Sequence, residues 1–183
     1  MEGYLLKINS FKSYNLYRRK AFSLSFSFSF VLYSIFANKK TNIMTINEKQ
    51  DLIIEEFSLL DDWMDRYSIL IERGNSLPSM EETYKTPQNL IEGCQSRVWL
   101  HADYENNIIT FKGDSDAILV KGIVSLLISI VSGHTPDEIL ENELYFIDKI
   151  GLKEHLSPTR SNGLLAMIKQ MRLYAIAFKS KKQ

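Results

Sequence analysis

The sequence has a single cysteine and three histidines, and this scarcity limits the kinds of covalent and metal site that the chain can form. One sulfur excludes an internal disulfide framework and fits a reducing compartment such as the cytoplasm. With one Cys and three scattered His, a zinc or iron–sulfur site held by this chain alone is not expected. A glycine-rich phosphate loop and a serine-nucleophile elbow are also missing, so most enzyme classes find no support.

An excess of charge of one sign is lacking too, since the 183 residues carry 22 basic and 22 acidic side chains. The balance hides an asymmetry. Residues 1–43 hold seven basic residues and one acidic residue, a net charge of +6, while residues 44–183 hold 15 and 21, a net charge of −6. An acidic body without a cationic cluster argues against a nucleic-acid partner. The length suits one domain, and 45% hydrophobic residues suffice for a core.

The first 43 residues differ in composition from the rest. A basic stretch, Arg18–Lys20, precedes the uncharged run 21–37, in which serine interrupts the apolar residues five times. A membrane-spanning helix needs about 20 mostly apolar residues, so a membrane or signal segment is disfavoured, as is a disordered tail. The favoured interpretation is a start codon set too early, with the natural start at Met44. We therefore expect the domain at residues 44–183, without a membrane anchor.

Helix caps and hydrophobic periodicity predict the elements at the start of this body. Asn47 and Gln50 can form a capping box, and apolar residues at helical spacing follow them. The pattern predicts one helix, or two helices broken at Asp61–Asp62, ending near Arg73–Gly74. The acidic face of this segment has no His or Cys companion, so a solvated surface is favoured over a metal site.

An antiparallel hairpin and three further helices are predicted after residue 94. The expected strands are Arg97–Tyr104 and Ile108–Lys112. The expected helices are 114–132, a short one that begins at Thr135, where Thr135 and Glu138 can form a capping box, and a long one from Arg160 or Ser161. Asp114 or Ser115 is the expected cap of the first of these helices, which is apolar on most sides and should be buried. His134 and His155 are expected in solvated loops. Together these elements predict an α+β fold, an antiparallel sheet covered by helices.

The one cysteine, Cys94, lies between Gly93 and a strand-like run. A thiolate is a good nucleophile toward sulfur, Gly93 gives the backbone freedom, and Val98 and Trp99 can shelter the sulfur. Because the chain has no second sulfur, any function of this thiol needs a metal, a substrate or another protein's sulfur. The alternative is an inert cysteine that packs as a small hydrophobe.

Four sequence blocks, in the same order, resemble the SufE family of sulfur-acceptor proteins in iron–sulfur cluster assembly. The blocks are Pro87–Trp99, Gly113–Ala117 with Val120–Gly122, Thr135–Pro136, and His155–Ser161 with Gly163–Leu164. The resemblance spans about residues 46–178 and implies helices packed on a small curved antiparallel sheet. It also implies that Cys94 accepts persulfide sulfur from a cysteine desulfurase, and that the protein stimulates this enzyme. The sulfur would then pass to an iron–sulfur scaffold. The pyridoxal phosphate belongs to the desulfurase, and no cofactor or metal is expected on this chain.

Other residues in the matched blocks are weaker candidates. Arg160 could lower the pKa of Cys94 if it lies nearby, and the alternative is an ion pair or a loop cap. Asp114 and Asp116 are most simply helix N-terminal residues, which could in addition position the cysteine loop. Asn162 stands where many relatives have glutamine, and it receives no role.

Two functional interpretations stay open at this point. In the first, Cys94 carries sulfur between proteins. In the second, the chain is a binding module that regulates a cysteine desulfurase without carrying sulfur. A membrane-tethered version of either depends on residues 1–43, and the expected location is the cytoplasm. Whether such a protein counts as an enzyme in its own right is left open.

Overall fold

The computed structural model describes residues 44–181, so the expectations for residues 1–43 lie outside the described range. The described part contains six α-helices and one two-stranded sheet: α1 (Ile46–Ser58), α2 (Trp63–Ser76), β1 (Val98–Glu105), β2 (Ile108–Ser115), α3 (Ile118–Val131), α4 (Pro136–Glu141), α5 (Phe146–Lys149) and α6 (Pro158–Lys181). Two short 3-10 turns, Glu82–Tyr84 and Pro87–Asn89, lie between α2 and β1. The predicted α+β class is confirmed. Within residues 44–181, no helix has the length and apolarity to cross a membrane.

The hairpin has the tightest kind of turn. Strands β1 and β2 pair antiparallel in a register that places Glu105 opposite Ile108. Asn106 and Asn107 both have positive φ, 51° and 66°, as a two-residue turn between twisted strands requires. The second strand continues to Ser115, three residues further than predicted. Asp114 and Ser115 therefore belong to β2, and the prediction that one of them caps the next helix was wrong.

Helix α3 is the centre of the core, packed against α1, α2, α6 and β2. Its buried residues include Val120, Ile123 and Leu127, which confirms the prediction of a buried helix. The crossing with α2 depends on a glycine, because a Cβ built on Gly122 would lie 2.0 Å from the carbonyl oxygen of Leu70. The two helix backbones therefore approach each other more closely than any other residue type would allow.

The start of α1 differs from the prediction. Its capping box is formed by Thr45 and Glu48, with the Glu48 amide donating to Thr45 Oγ1 at 3.2 Å. Gln50 is fully buried, where its amide nitrogen donates to the carbonyl of Glu143 at 3.0 Å. Its amide oxygen accepts from the Phe146 backbone at 3.2 Å. Gln50 thus ties α1 to the start of α5 instead of capping its own helix.

Of the two alternatives for this first segment, one helix or two, the structure has two helices, and Asp62 caps α2 by accepting a hydrogen bond from Met64 N at 2.7 Å. The capping box of Thr135 and Glu138 in α4 is also confirmed. Helix α6 begins at Pro158, two residues earlier than predicted, since proline is favoured in the first turn of a helix.

His134 is buried, which contradicts the prediction that it lies in a solvated loop. It is 2% exposed, because the backbone of this loop is bonded to β2: Ile109 N donates to His134 O at 2.9 Å. Burial lowers the pKa of its imidazole. His155, by contrast, is exposed as predicted.

Candidate functional site

Cys94 lies in a short loop, residues 92–97, whose two ends are bonded to each other. Ile91 N donates to Val98 O at 2.8 Å, and Leu90 pairs with Trp99 in an isolated antiparallel bridge. Gly93 has a φ of +86°, which reverses the chain directly before the cysteine and is a conformation that glycine adopts without strain. The cysteine is thus presented at the tip of a loop that is anchored at its base.

The sulfur of Cys94 points towards helix α6. A Cβ built on Gly163 would lie 3.0 Å from Cys94 Sγ and 3.7 Å from its Cα and Cβ. The cysteine is half-buried, and it packs at the edge of the hydrophobic core. The neighbour that the structure places against the sulfur is therefore the bare backbone of α6 at Gly163. The sequence predicts shelter from Val98 and Trp99, and the structure adds the backbone of α6 at Gly163.

This position affects the acidity of the thiol. Burial raises the pKa of the Cys94 thiol, because removal from water disfavours the charged thiolate. Arg160 is exposed in the first turn of α6, three residues before Gly163. Within residues 44–181 its guanidinium has neither an ion pair nor a hydrogen bond to the sulfur. The role of Arg160 as a thiolate stabiliser stays a prediction.

Asp116 holds the downstream end of the cysteine loop. Its carboxylate accepts hydrogen bonds from the backbone N and the Nε of Arg97, both at 3.0 Å. In return, Asp116 N donates to Arg97 O at 3.2 Å. The guanidinium of Arg97 also lies 5.5 Å from the centroid of the Trp99 ring. Asp116 precedes α3 and its N-cap Ala117, so its contacts are those of a residue that positions the loop.

Asp114 is a buried anchor behind the loop, only 6% exposed. Its carboxylate contacts Lys121 Nζ at 2.9 Å and Lys85 Nζ at 3.1 Å, and accepts a hydrogen bond from Ser115 N. Burial alone would raise the pKa of this carboxyl, but the hydrogen bonds from Lys121 and Lys85 hold it below its ordinary value. Lys85 also pairs with Glu82 at 2.7 Å. The network fixes the turn before the cysteine loop onto the sheet and α3.

The segment that leads into α6 is fixed by aromatic contacts. His155 stacks on Trp63 with a centroid distance of 3.7 Å, and Tyr67 Oη donates to His155 O at 2.6 Å. Further along, Thr159 Oγ1 donates to Gln95 Oε1 at 3.3 Å, which joins the start of α6 to the cysteine loop. Sequence reasoning missed Trp63, Tyr67 and Gln95, because their partners are more than 60 residues away.

Among residues 44–181, no group of three or more His, Cys, Asp or Glu side chains is arranged to hold a metal ion. The chemistry that the site offers is that of one nucleophilic sulfur with a protein wall on one side and solvent on the other.

Comparisons with known proteins give the family. The model of the family "SufE: Fe-S metabolism associated domain" matches residues 51–175. Uncharacterized SufE-like proteins of Rhizobium etli and Rhizobium meliloti are each 46% identical over 127 residues, which is 67% of this chain and 86% and 91% of theirs. A SufE-like protein of Synechocystis is 40% identical over 144 residues, 79% of this chain and 91% of its own.

One solved structure supports the fold. The solution structure of a hypothetical protein from Thermus thermophilus aligns with a TM-score of 0.60 at 24% identity, covering 70% of this chain and 94% of that protein. At this identity the likeness concerns the fold alone. The family match covers more than half of the chain, and it includes Cys94, Asp116 and Gly163. The chain belongs to the SufE family, and with it to iron–sulfur metabolism.

Proposed function

We propose that this protein accepts persulfide sulfur on Cys94 from a cysteine desulfurase, stimulates that enzyme, and passes the sulfur to an iron–sulfur scaffold in the cytoplasm. The observation that carries the proposal is the position of Cys94, which is the only cysteine in the sequence. Cys94 is half-buried at the tip of an anchored loop, against the backbone of α6 at Gly163. The loop is held by the pairing of its ends, by Asp116 at Arg97 and by Thr159 at Gln95, contacts that the packing of an inert cysteine does not require.

The reaction balances without an added oxidant or reductant. The Cys94 thiolate attacks the outer sulfur of the desulfurase persulfide, the S–S bond of that persulfide breaks, and the donor cysteine leaves as a thiolate. The outer sulfur is then bonded to Cys94, which has become the persulfide. Delivery to the scaffold repeats the exchange with Cys94 as the donor. Pyridoxal phosphate acts on the desulfurase, upstream of this chain.

The geometry supports both shelter and presentation. While Cys94 lies against Gly163, one side of the sulfur is covered by protein, which limits attack by water-borne oxidants. The loop tip itself is exposed at Glu92, Gly93 and Gln95, so a partner can reach it without unfolding a helix. The pairing of Ile91 with Val98 and the contacts of Asp116 with Arg97 hold the base of the loop while the tip moves.

The test is the intact mass of the 183-residue protein after incubation with a cysteine desulfurase and cysteine. The parent protein should gain the mass of one sulfur atom, reversibly on treatment with a thiol, and Cys94→Ser should gain nothing. Its unfolding free energy should change by less than about 1 kcal/mol, because the thiol is only half-buried. The matched control is Ser96→Ala in the same loop, which should accept sulfur as the parent does.

The second interpretation, regulation without sulfur transfer, makes the opposite prediction. If Cys94→Ser stimulates the desulfurase as well as the parent, and the parent shows no sulfur adduct, the sulfur-acceptor proposal is overturned. Loss of stimulation together with loss of folding in Cys94→Ser would instead identify a structural cysteine. Thermal unfolding of each variant separates these outcomes.

A further inference from the structure

Helix α6 is apolar on two opposite sides, whereas a surface helix is normally apolar on one. Its inner side is buried in the core through Gly163, Leu164, Met167, Met171 and Ala175. On its outer side, Leu165, Leu173 and Ile176 are 50%, 45% and 53% exposed. No element among residues 44–181 covers them. Clustered exposed apolar side chains of this size mark interaction sites more often than chance positions do.

The outer side has the shape of a helix-packing groove. The residues that line it form two rows with a spacing of four residues: Leu165, Lys169 and Leu173 in one row, Ile168, Arg172 and Ile176 in the other. Rows at this spacing are the ridges between which a ridge of another helix packs, commonly at an interaxial angle of about −50°. We call this feature the α6 groove.

The charges on α6 indicate the character of that helix. Residues 158–181 include five basic and no acidic side chains, in a body whose net charge is −6. Lys169 is exposed, and among the described residues it has no ion-pair partner. Arg172 donates to the carbonyl oxygens of Leu140 at 2.6 Å and Asn142 at 3.3 Å, which fixes its guanidinium beside the groove. Two α6 helices face to face would bring like charges together, so a second copy is disfavoured.

We propose that the α6 groove binds an amphipathic helix of a partner protein. That helix would insert apolar side chains spaced three or four residues apart and place Asp or Glu opposite Lys169 and Arg172. The groove is separate from the sulfur, because it lies on the exposed side of α6, whereas Gly163, beside the sulfur, is buried on the inner side. Its far end, at Leu173 and Ile176, lies about 15–20 Å along the helix from Gly163 at 1.5 Å per residue. The partner can therefore stay bound while Cys94 is free. The proposal does not depend on whether Cys94 carries sulfur.

The test uses two fluorescent peptides of about 18 residues, the length of an anchor-bearing helix. Both have leucines at helical spacing; one has glutamates on the flanking positions and its twin has lysines. Fluorescence anisotropy measures their affinity for the 183-residue protein. The acidic peptide should bind about ten-fold tighter than its twin, as charge complementarity at a groove requires. Leu173→Gln and Lys169→Glu should each weaken it about five-fold or more, as for residues central to an interface.

Matched controls make the outcome decisive. Leu59→Gln, at a leucine that is 59% exposed at the end of α1 and so more exposed than Leu173, should leave binding unchanged, and so should Cys94→Ser. Ile176→Gln repeats the test of the apolar row should Leu173→Gln fold poorly. Equal binding of the two peptides, or binding insensitive to Leu173→Gln and Lys169→Glu, overturns the proposal. A dimer that Leu173→Gln dissociates, or binding to phosphatidylglycerol vesicles in place of the acidic peptide, would assign the groove to another occupant and overturn it equally.

Discussion

Gly163→Ala is the most informative single change in this protein, because it adds one methyl group where helix α6 meets the sulfur. The new Cβ would lie 3.0 Å from Cys94 Sγ. Since non-bonded atoms are most stable at about 3.5–4.0 Å, the sulfur or the helix must move by about 0.5–1 Å. The other contacts of this Cβ, at 3.7 Å, are ordinary. The substitution therefore tests whether the cysteine loop or helix α6 moves to make room for the methyl group.

The energies favour movement of the loop. Alanine in a helix interior is more stable than glycine by about 0.8–1.0 kcal/mol, so α6 gains from the substitution. If neither side could move, overpacking would cost about 1–3 kcal/mol. The tip of the loop is exposed at Gly93 and Gln95, whereas α6 is fixed along its buried face by the core. We expect Cys94 to move outward, and the unfolding free energy to stay the same or to rise.

The assay is the rate of Cys94 alkylation by iodoacetamide as a function of pH, followed by intact mass. In Gly163→Ala the pKa of the thiol should fall towards its ordinary value, because the burial that raises it is reduced. Alkylation at neutral pH should be faster. Ala177→Gly, an exposed change of opposite helix propensity on α6, should leave the rate unaltered. Equal or slower alkylation with a loss of about 1–3 kcal/mol of stability would refute the reasoning.

Three further substitutions test other parts of the structure. Arg160→Ala should slow Cys94 alkylation at neutral pH if the guanidinium stabilises the thiolate, whereas Lys169→Ala should not; equal rates in both would remove Arg160 from the site. Asp114 has a pKa below its ordinary value of 3.8, so its stabilising effect is present above that value and is lost as the pH falls through the folded pKa. Asp114→Asn should lower stability at neutral pH and flatten its decline between about pH 5 and pH 2 in urea unfolding; an unchanged decline would contradict this. Gly122→Ala should cost about 1–3 kcal/mol because its Cβ meets the Leu70 backbone, and a variant as stable as the parent would show that α2 and α3 can separate freely.

Local structure was predictable where only one pattern fitted the sequence. The capping box of Thr135 and Glu138 is one example, and the burial of the apolar helix α3 is another. At the start of α1, two overlapping patterns compete, Thr45 with Glu48 and Asn47 with Gln50. Both satisfy the spacing of a capping box, and only the burial of Gln50 against α5 decides between them. That burial depends on residues more than 90 positions away, which local spacing does not encode.

In the candidate site, too, the local feature was predictable and the contacts between distant residues were less so. Cys94 could be identified from the sequence, because it is the only cysteine and lies in a recognisable block. Of its two structural supports, Asp116 was expected as a residue that could position the cysteine loop, although its partner Arg97 is 19 residues away. Gly163 was not expected beside the sulfur, since it is 69 residues from Cys94 along the chain. One signal for Gly163 was present. A glycine inside a helical pattern costs about 1 kcal/mol against alanine, so it usually indicates a close contact.

Burial links the position of the sulfur to its reactivity. Where Cys94 lies against Gly163, burial raises the pKa of its thiol and so disfavours the thiolate, which is the nucleophilic form. A partner that draws the loop tip outward would expose the sulfur and lower its pKa in the same movement. If Cys94 accepts sulfur as proposed, its thiol would become more nucleophilic when a partner binds the loop and would be less nucleophilic in the free protein. Gly163→Ala mimics the first half of that movement without a partner, so faster alkylation in this variant would show that position alone sets the reactivity.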